Sequence, residues 1–363
     1  MYRHLSELTI RRIAVQALCA VAVAATGAPA VAQYTIQDHG LECEREIGPI
    51  PPFNCIADGQ IIPMMRNGQP ITNHVAHQKC DNPPLLGLGG SDGQCMPYAR
   101  VGTLPGKNAS GALDPQIQWA FICRRYSLRT DPNDPKFEDV AVVGHNKATG
   151  ATCFFQMLNE ADHGLDATRV PPPSEAPEAT PAGAIKASDF WLRPEQTAAI
   201  QCNKCHDDDA FIHTPYVDQV RKADNGSSVP VVPPGPNLKA SPPETSRYKF
   251  IGAPFQEAVT APWRWPKPMR LQPLGNACIT CHNIGEHRSC SYFSNIAGGQ
   301  TTPSDVSQYG STWPHSHWMP PDVESTGMTE NDWKLDFAAS LKQITDCCND
   351  PSTAVCRRRP FDD

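Results

Sequence analysis

Four of the fifteen cysteines stand in two copies of one pentapeptide pattern, Cys202-Asn203-Lys204-Cys205-His206 and Cys278-Ile279-Thr280-Cys281-His282. This duplication constrains the chain more than any other feature. In each copy two thiols stand about one helical turn apart, with an imidazole next to the second. At the cysteine and histidine frequencies of this sequence, one such pentapeptide arises by chance in about 2% of chains of this length, and two in fewer than about 0.1%. The fold must therefore present the same local turn twice.

C-x-x-C-H is the spacing at which c-type haem is attached. Two thiols one turn apart reach the two vinyl groups on one edge of a porphyrin, and the adjacent histidine meets the iron from the same side. A disulfide within each motif, or zinc held by thiolates and histidine, are the competing uses of these residues. On these two pentapeptides the chain resembles the dihaem and multihaem c-type cytochromes of the periplasm. The resemblance covers the motifs and their near surroundings, well under a third of the chain. It implies electron transfer as the default role and two covalently attached haems. Cys202, Cys205, Cys278 and Cys281 would anchor the porphyrins, and His206 and His282 would bind iron.

The second axial ligand separates a closed electron-transfer haem from a reactive one. Met319, in Trp318-Met319-Pro320-Pro321, resembles the Met-Pro segment that supplies this ligand in many small c-type cytochromes. The prolines hold the backbone extended and aim the thioether. Met319 is expected at the haem of His282, with Met269 and Met328 as alternatives. For the haem of His206 the candidate is His213, seven residues on, followed by His317, with His287 and His145 also open. His315, His317 and Met319 would share one face of an extended strand. Thiolate ligation by Cys290 is a further alternative.

The N-terminus sets the expected compartment. Arg3, Arg11 and Arg12 precede an apolar run from Ile13 to Val23 and a small-residue stretch ending Ala30-Val31-Ala32. This is the pattern of a cleaved secretory signal peptide, residues 1–32. Cleavage leaves 28 basic and 37 acidic residues, a net charge of −9 against −7 for the full chain. An acidic chain argues against a nucleic-acid partner, and no apolar run beyond the signal is long enough to span a bilayer. The expected location is periplasmic or secreted, with redox proteins or small-molecule electron donors and acceptors as partners.

An oxidising compartment makes the other cysteines disulfide candidates. Cys43, Cys55, Cys80, Cys95, Cys123 and Cys153 precede the motifs; Cys290, Cys347, Cys348 and Cys356 follow the start of the second. A bridge between the adjacent Cys347 and Cys348 is strained, so both are expected to bond outward, to Cys290 and Cys356.

The expected fold class is α+β with much irregular structure: a disulfide-braced, β-rich N-terminal domain (33–165) and a mainly helical, loop-rich c-type haem domain (188–363). Strand-like runs lie at 119–123, 140–143 and 152–155, with a turn at 145–150. The Pro-rich segment 166–187 reads as a linker, or a strap laid across the surface. Helices are expected from Pro194 into the first motif, over Tyr216–Ala223, and from a capping box at Thr329 and Asp332, with Trp333, Phe337, Leu341 and Ile344 on one face. That last helix should pack against the haem layer. Trp263 and Trp265 are candidates for packing on a porphyrin or in the core.

Three functions follow. The first is an exported dihaem electron carrier with no catalytic residue. The second is a dihaem oxidoreductase, peroxidase-like or acting on small sulfur or nitrogen compounds, with one open iron. The third makes 34–165 a binding module. The acidic run Asp207–Asp209 reads as a solvated loop.

Overall fold

The apolar runs around Phe121, Val142 and Phe154 form the central strands of a six-stranded sheet in the computed structural model. The structure describes residues 33–363 except 67, 74–79, 81–94, 128, 225–226, 234–247, 257–264, 266, 281, 293–329 and 362–363. Residues 1–32, Cys281, Met319, His315, His317, Trp263, Met328 and Thr329 lie outside the described residues.

The strands are β1 (Gln60–Ile61), β2 (Arg100–Leu104), β3 (Ile117–Arg124), β4 (Asp139–Asn146), β5 (Ala151–Leu158) and β6 (Lys249–Phe250), adjacent in that order. Pairing is antiparallel from β1 to β5, and β6 joins β5 in parallel. The turn expected at 145–150 links β4 to β5, with His145 opposite Thr152.

Both faces of the sheet are covered. On one, Trp119, Phe121, Val142 and Phe155 pack with Ile36, Phe53, Val170 and Trp191. On the other, Ala120 and Phe154 pack with Phe211, Tyr216, Tyr248, Phe255 and Trp265. Side chains alternate across a strand, so β5, apolar at nearly every position, is buried from Ala151 to Met157. Helix α1 (Ile36–Glu46) lies in a segment read as β-rich; Thr35 and Asp38 cap it reciprocally.

The segment 166–187 is a strap rather than a free linker. Phe53 bridges Val170, the Cys55 amide donates to the Ala167 carbonyl, and the Trp191 indole donates to Pro171. The sheet and its second apolar layer take residues from both sides of this strap, and Tyr34–Asp363 is one compact unit.

The disulfides are Cys43–Cys153, Cys55–Cys123, Cys80–Cys95, Cys290–Cys348 and Cys347–Cys356. The halves do not mix, and the adjacent pair bonds outward as its strain requires. Among the described residues no helix is long and apolar enough to cross a membrane.

The fold is mixed α and β with a large sheet, and the described part of 188–363 is less helical than expected. It holds α2 (Pro194–Ile200), α3 (Arg288–Tyr292), the long α4 (Glu330–Asn349) and single turns. The helix expected over Tyr216–Ala223 is one turn, Pro215–Asp218, followed by strand Arg221–Asp224 paired with Ser227–Pro230. Only Asn225 and Gly226 separate these strands in sequence, and Asn-Gly is the strongest short hairpin signal.

Candidate functional site

Helix α2 begins on Pro194 and ends where Gln201 turns left-handed, at φ 60°. That break lets the chain re-enter a tight turn, Cys202–Lys204. The amides of Cys205 and His206 both donate to the Cys202 carbonyl, at 3.0 and 2.8 Å. The described residues of the second pentapeptide repeat this turn. Cys278–Thr280 forms the same type of turn, and the His282 amide donates to the Cys278 carbonyl at 3.1 Å. The five disulfides consume ten of the eleven cysteines outside the motifs, and the eleventh, Cys19, lies among residues 1–32. Cys202 and Cys205 are free thiols. Burial pushes the Cys202 thiol up to about 12 and raises Cys205 as well.

His206 has one ring nitrogen committed to the backbone. Its Nδ1 lies 2.7 Å from the Ala210 carbonyl. A carbonyl only accepts, so Nδ1 carries the proton and Nε2 keeps its lone pair. Burial holds the ring neutral, with its pKa lowered to about 4. The Tyr248 hydroxyl donates to the His206 carbonyl at 2.7 Å, and the Phe154 ring meets the imidazole edge-on at 5.3 Å. Burial lowers His282 too.

His213 sits differently from the expectation placed on it. Its Nδ1 pairs with Asp218 at 2.9 Å and its Nε2 with the Pro233 carbonyl at 2.9 Å. Both ring nitrogens are spent, so His213 as placed has none for a metal. Burial disfavours its charge, but Asp218, the Pro233 carbonyl and Asp209 together outweigh burial and raise its pKa. His145 is the opposite case. Thr152 gives its hydroxyl proton to the Gly150 carbonyl at 3.1 Å and accepts from His145 Nδ1 at 2.8 Å. His145 is buried and neutral, with its Nε2 lone pair unprotonated. His287 is exposed, and Cys290 is in a disulfide and offers no thiolate. Trp265 belongs to the core: its indole donates to the Ala198 carbonyl at the end of α2.

Helix α4 holds the segment just ahead of the second motif. Leu341 and Ile344 are buried and Phe337 is half-buried. Asn276, just ahead of the motif, donates to the Ser340 carbonyl at 2.7 Å and to Gln343 at 2.8 Å, and its Oδ1 accepts from the Cys278 amide.

Sequence reasoning missed Asp207. The acidic run is not fully solvated: Asp207 is 2% exposed, and Asp208 and Asp209 are half-buried. Its carboxylate accepts from the His287 and Ser289 amides at 2.6 and 3.2 Å. Arg288 reaches the Cys205 sulfur at 3.7 Å. The chain just after the second motif therefore lies against the end of the first. No signal in the sequence pairs residues so far apart.

Elsewhere His39, Cys43 and Cys153 cluster in the core, but the two cysteines are joined to each other and offer no thiolate. Searches against protein-family models, curated proteins and solved structures find no match for this chain.

Proposed function

We propose that the chain is an exported electron carrier with two covalently attached c-type haems. The observation that carries this reading is the division of the cysteines: ten outside the motifs bond in pairs, and the described motif residues occupy two turns of the same construction. The disulfides fit an oxidising compartment, which supports export. The residues present fit the cofactor, with Cys202 and Cys205 as thiols and His206 as a neutral imidazole whose Nδ1 is already committed.

In this reading Cys202, Cys205, Cys278 and Cys281 hold the porphyrins as thioethers, and His206 and His282 are the proximal ligands. Haem held by these residues would supply one-electron redox chemistry through its iron. The Ala210 carbonyl fixes the tautomer and orientation of His206, and its hydrogen bond makes the ring a better donor. Phe154, Tyr248 and the layer behind them exclude water from one side of that ring. Met319 remains the proposed second ligand at the His282 haem.

One observation favours a second reading, a dihaem oxidoreductase with an open iron: His213 is spent on Asp218 and Pro233. Absorption spectra of the matured protein, oxidised and reduced, with and without carbon monoxide, decide between them. Two low-spin haems indifferent to carbon monoxide support the carrier, and the same spectra of His145→Phe then show whether His145 closes one iron. A haem that binds carbon monoxide moves the assignment to the enzyme. Properly matured protein without a covalent haem spectrum overturns both.

A further inference from the structure

We infer that Asp207 is a positioning residue that clamps the two haem-bearing turns together, and that the magnetic and redox interaction of the haems depends on it. The inference rests on the two-haem reading and adds the device that couples the sites.

The contacts form a closed circuit. Asp207 follows His206 directly. Its carboxylate, almost wholly buried, takes the amides of His287 and Ser289 and so caps α3 from eighty residues away. Two backbone N–H groups converging on one carboxyl group, at 2.6 and 3.2 Å, fix its position. Its backbone lies against Gly285, where an added Cβ would stand 2.5 Å from the Asp207 carbonyl oxygen. From α3 the circuit continues through the Cys290–Cys348 disulfide into α4. Helix α4 holds Asn276 and Ala277, immediately ahead of Cys278, through Ser340 and Gln343. Arg288 closes it, with its guanidinium on the Cys205 sulfur. A shift of one turn is thus carried to the other through bonded or hydrogen-bonded groups at every step.

Buried carboxylates are costly unless satisfied, and the partners of this one lie in the opposite motif's segment. A merely local role would be met by nearby amides. The position next to the proximal histidine places the clamp where it governs the spacing of the two sites.

The test uses the full-length matured protein, wild type, Asp207→Ala and Gly285→Ala, the last keeping the carboxyl group but crowding both it and its backbone, since the added Cβ would stand 2.5 Å from Asp207 Oδ2 as well as from its carbonyl oxygen. Mass and haem content are measured first. Electron paramagnetic resonance of the oxidised protein then reads mutual broadening of the two irons. We expect broadening in the wild type that disappears in both variants while both haems stay attached. Broadening that persists in Asp207→Ala with both haems bound overturns the inference, as does its absence from the wild type.

Hydrogen exchange in the same samples gives a readout that needs no haem. The His287 and Ser289 amides should exchange at least roughly tenfold faster in Asp207→Ala, because their acceptor is gone. Equal rates overturn the clamp. Missing haem with normal amide protection overturns the two-haem reading alone.

Discussion

His39 has no exposed surface, and its ring lies 4.9 Å from both Phe155 and Phe255. Burial lowers its pKa from 6.5 to about 4, and the bond from its Nε2–H to the Phe154 carbonyl offsets only part of that. The native ring is therefore neutral where the unfolded ring takes a proton. As pH falls from 6.5 towards about 4, only the unfolded state gains that proton, and stability drops. Below the folded value both states are protonated and the loss levels off. One such histidine contributes at most about 1.4 kcal/mol per pH unit. His145 acts in the same direction through the same cause. Asp209, raised to about 6 by burial, acts in the opposite direction, since its native form binds the proton first. The decisive quantity is thus a difference. Urea unfolding of His39→Gln should lose stability less steeply than the wild type between about pH 6.5 and 4.5. Parallel curves would show that this proton is not what the unfolded chain gains.

At the scale of elements, β4 places Gly144 opposite Trp119 of β3 and Cys153 of β5. The Trp119 indole, fully buried, lies flat enough on that glycine that a Cβ would overlap its ring. Overpacking of this kind costs about 1–3 kcal/mol. Gly144→Ala should lower the urea midpoint accordingly, with little change in slope; an unchanged midpoint would mean the indole has room to move. The strands themselves were legible, because their apolar residues and turn residues signal extended chain without reference to distant partners. Helix α1 was not read: Thr35 and Asp38 are a cap, but the polar sequence that follows hides the face that buries Ile36, His39 and Cys43. The stretch after Tyr216 misled because apolar spacing over so few residues fits a helix, while the Asn-Gly pair at its end dictates a hairpin. Of the candidate site, the two pentapeptides are local and were read directly. Asp207, His145 and the engagement of His213 depend on residues from the other motif, a neighbouring strand or a distant loop.

The whole molecule turns on whether 33–165 is an independent domain. Proline density marks 166–187 as extended chain, and an extended segment reads from sequence as a linker unless its contacts are known. Here those contacts are specific: Val170 pairs with Phe53, and the Trp191 indole is anchored on Pro171. The face of β5 that bears Phe154 is covered by Tyr248, Phe250 and Trp265, all from beyond the strap. Residue Phe250 also belongs to the strand that completes the sheet. A fragment ending at 165 would expose that apolar face and an unpaired edge, the conditions under which sheets aggregate. Its three disulfides constrain the unfolded chain but cannot replace a missing layer of core. Expressed alone with an export signal, residues 33–165 should therefore show no cooperative thermal transition and should yield mixed disulfides. The same protocol on 33–363 should give a single transition and the five pairings described. A fragment that melts cooperatively with Cys43–Cys153, Cys55–Cys123 and Cys80–Cys95 intact would establish a separate domain and restore the binding-module function for it. Failure to fold would instead make the sheet the wall against which the first haem-bearing turn is built.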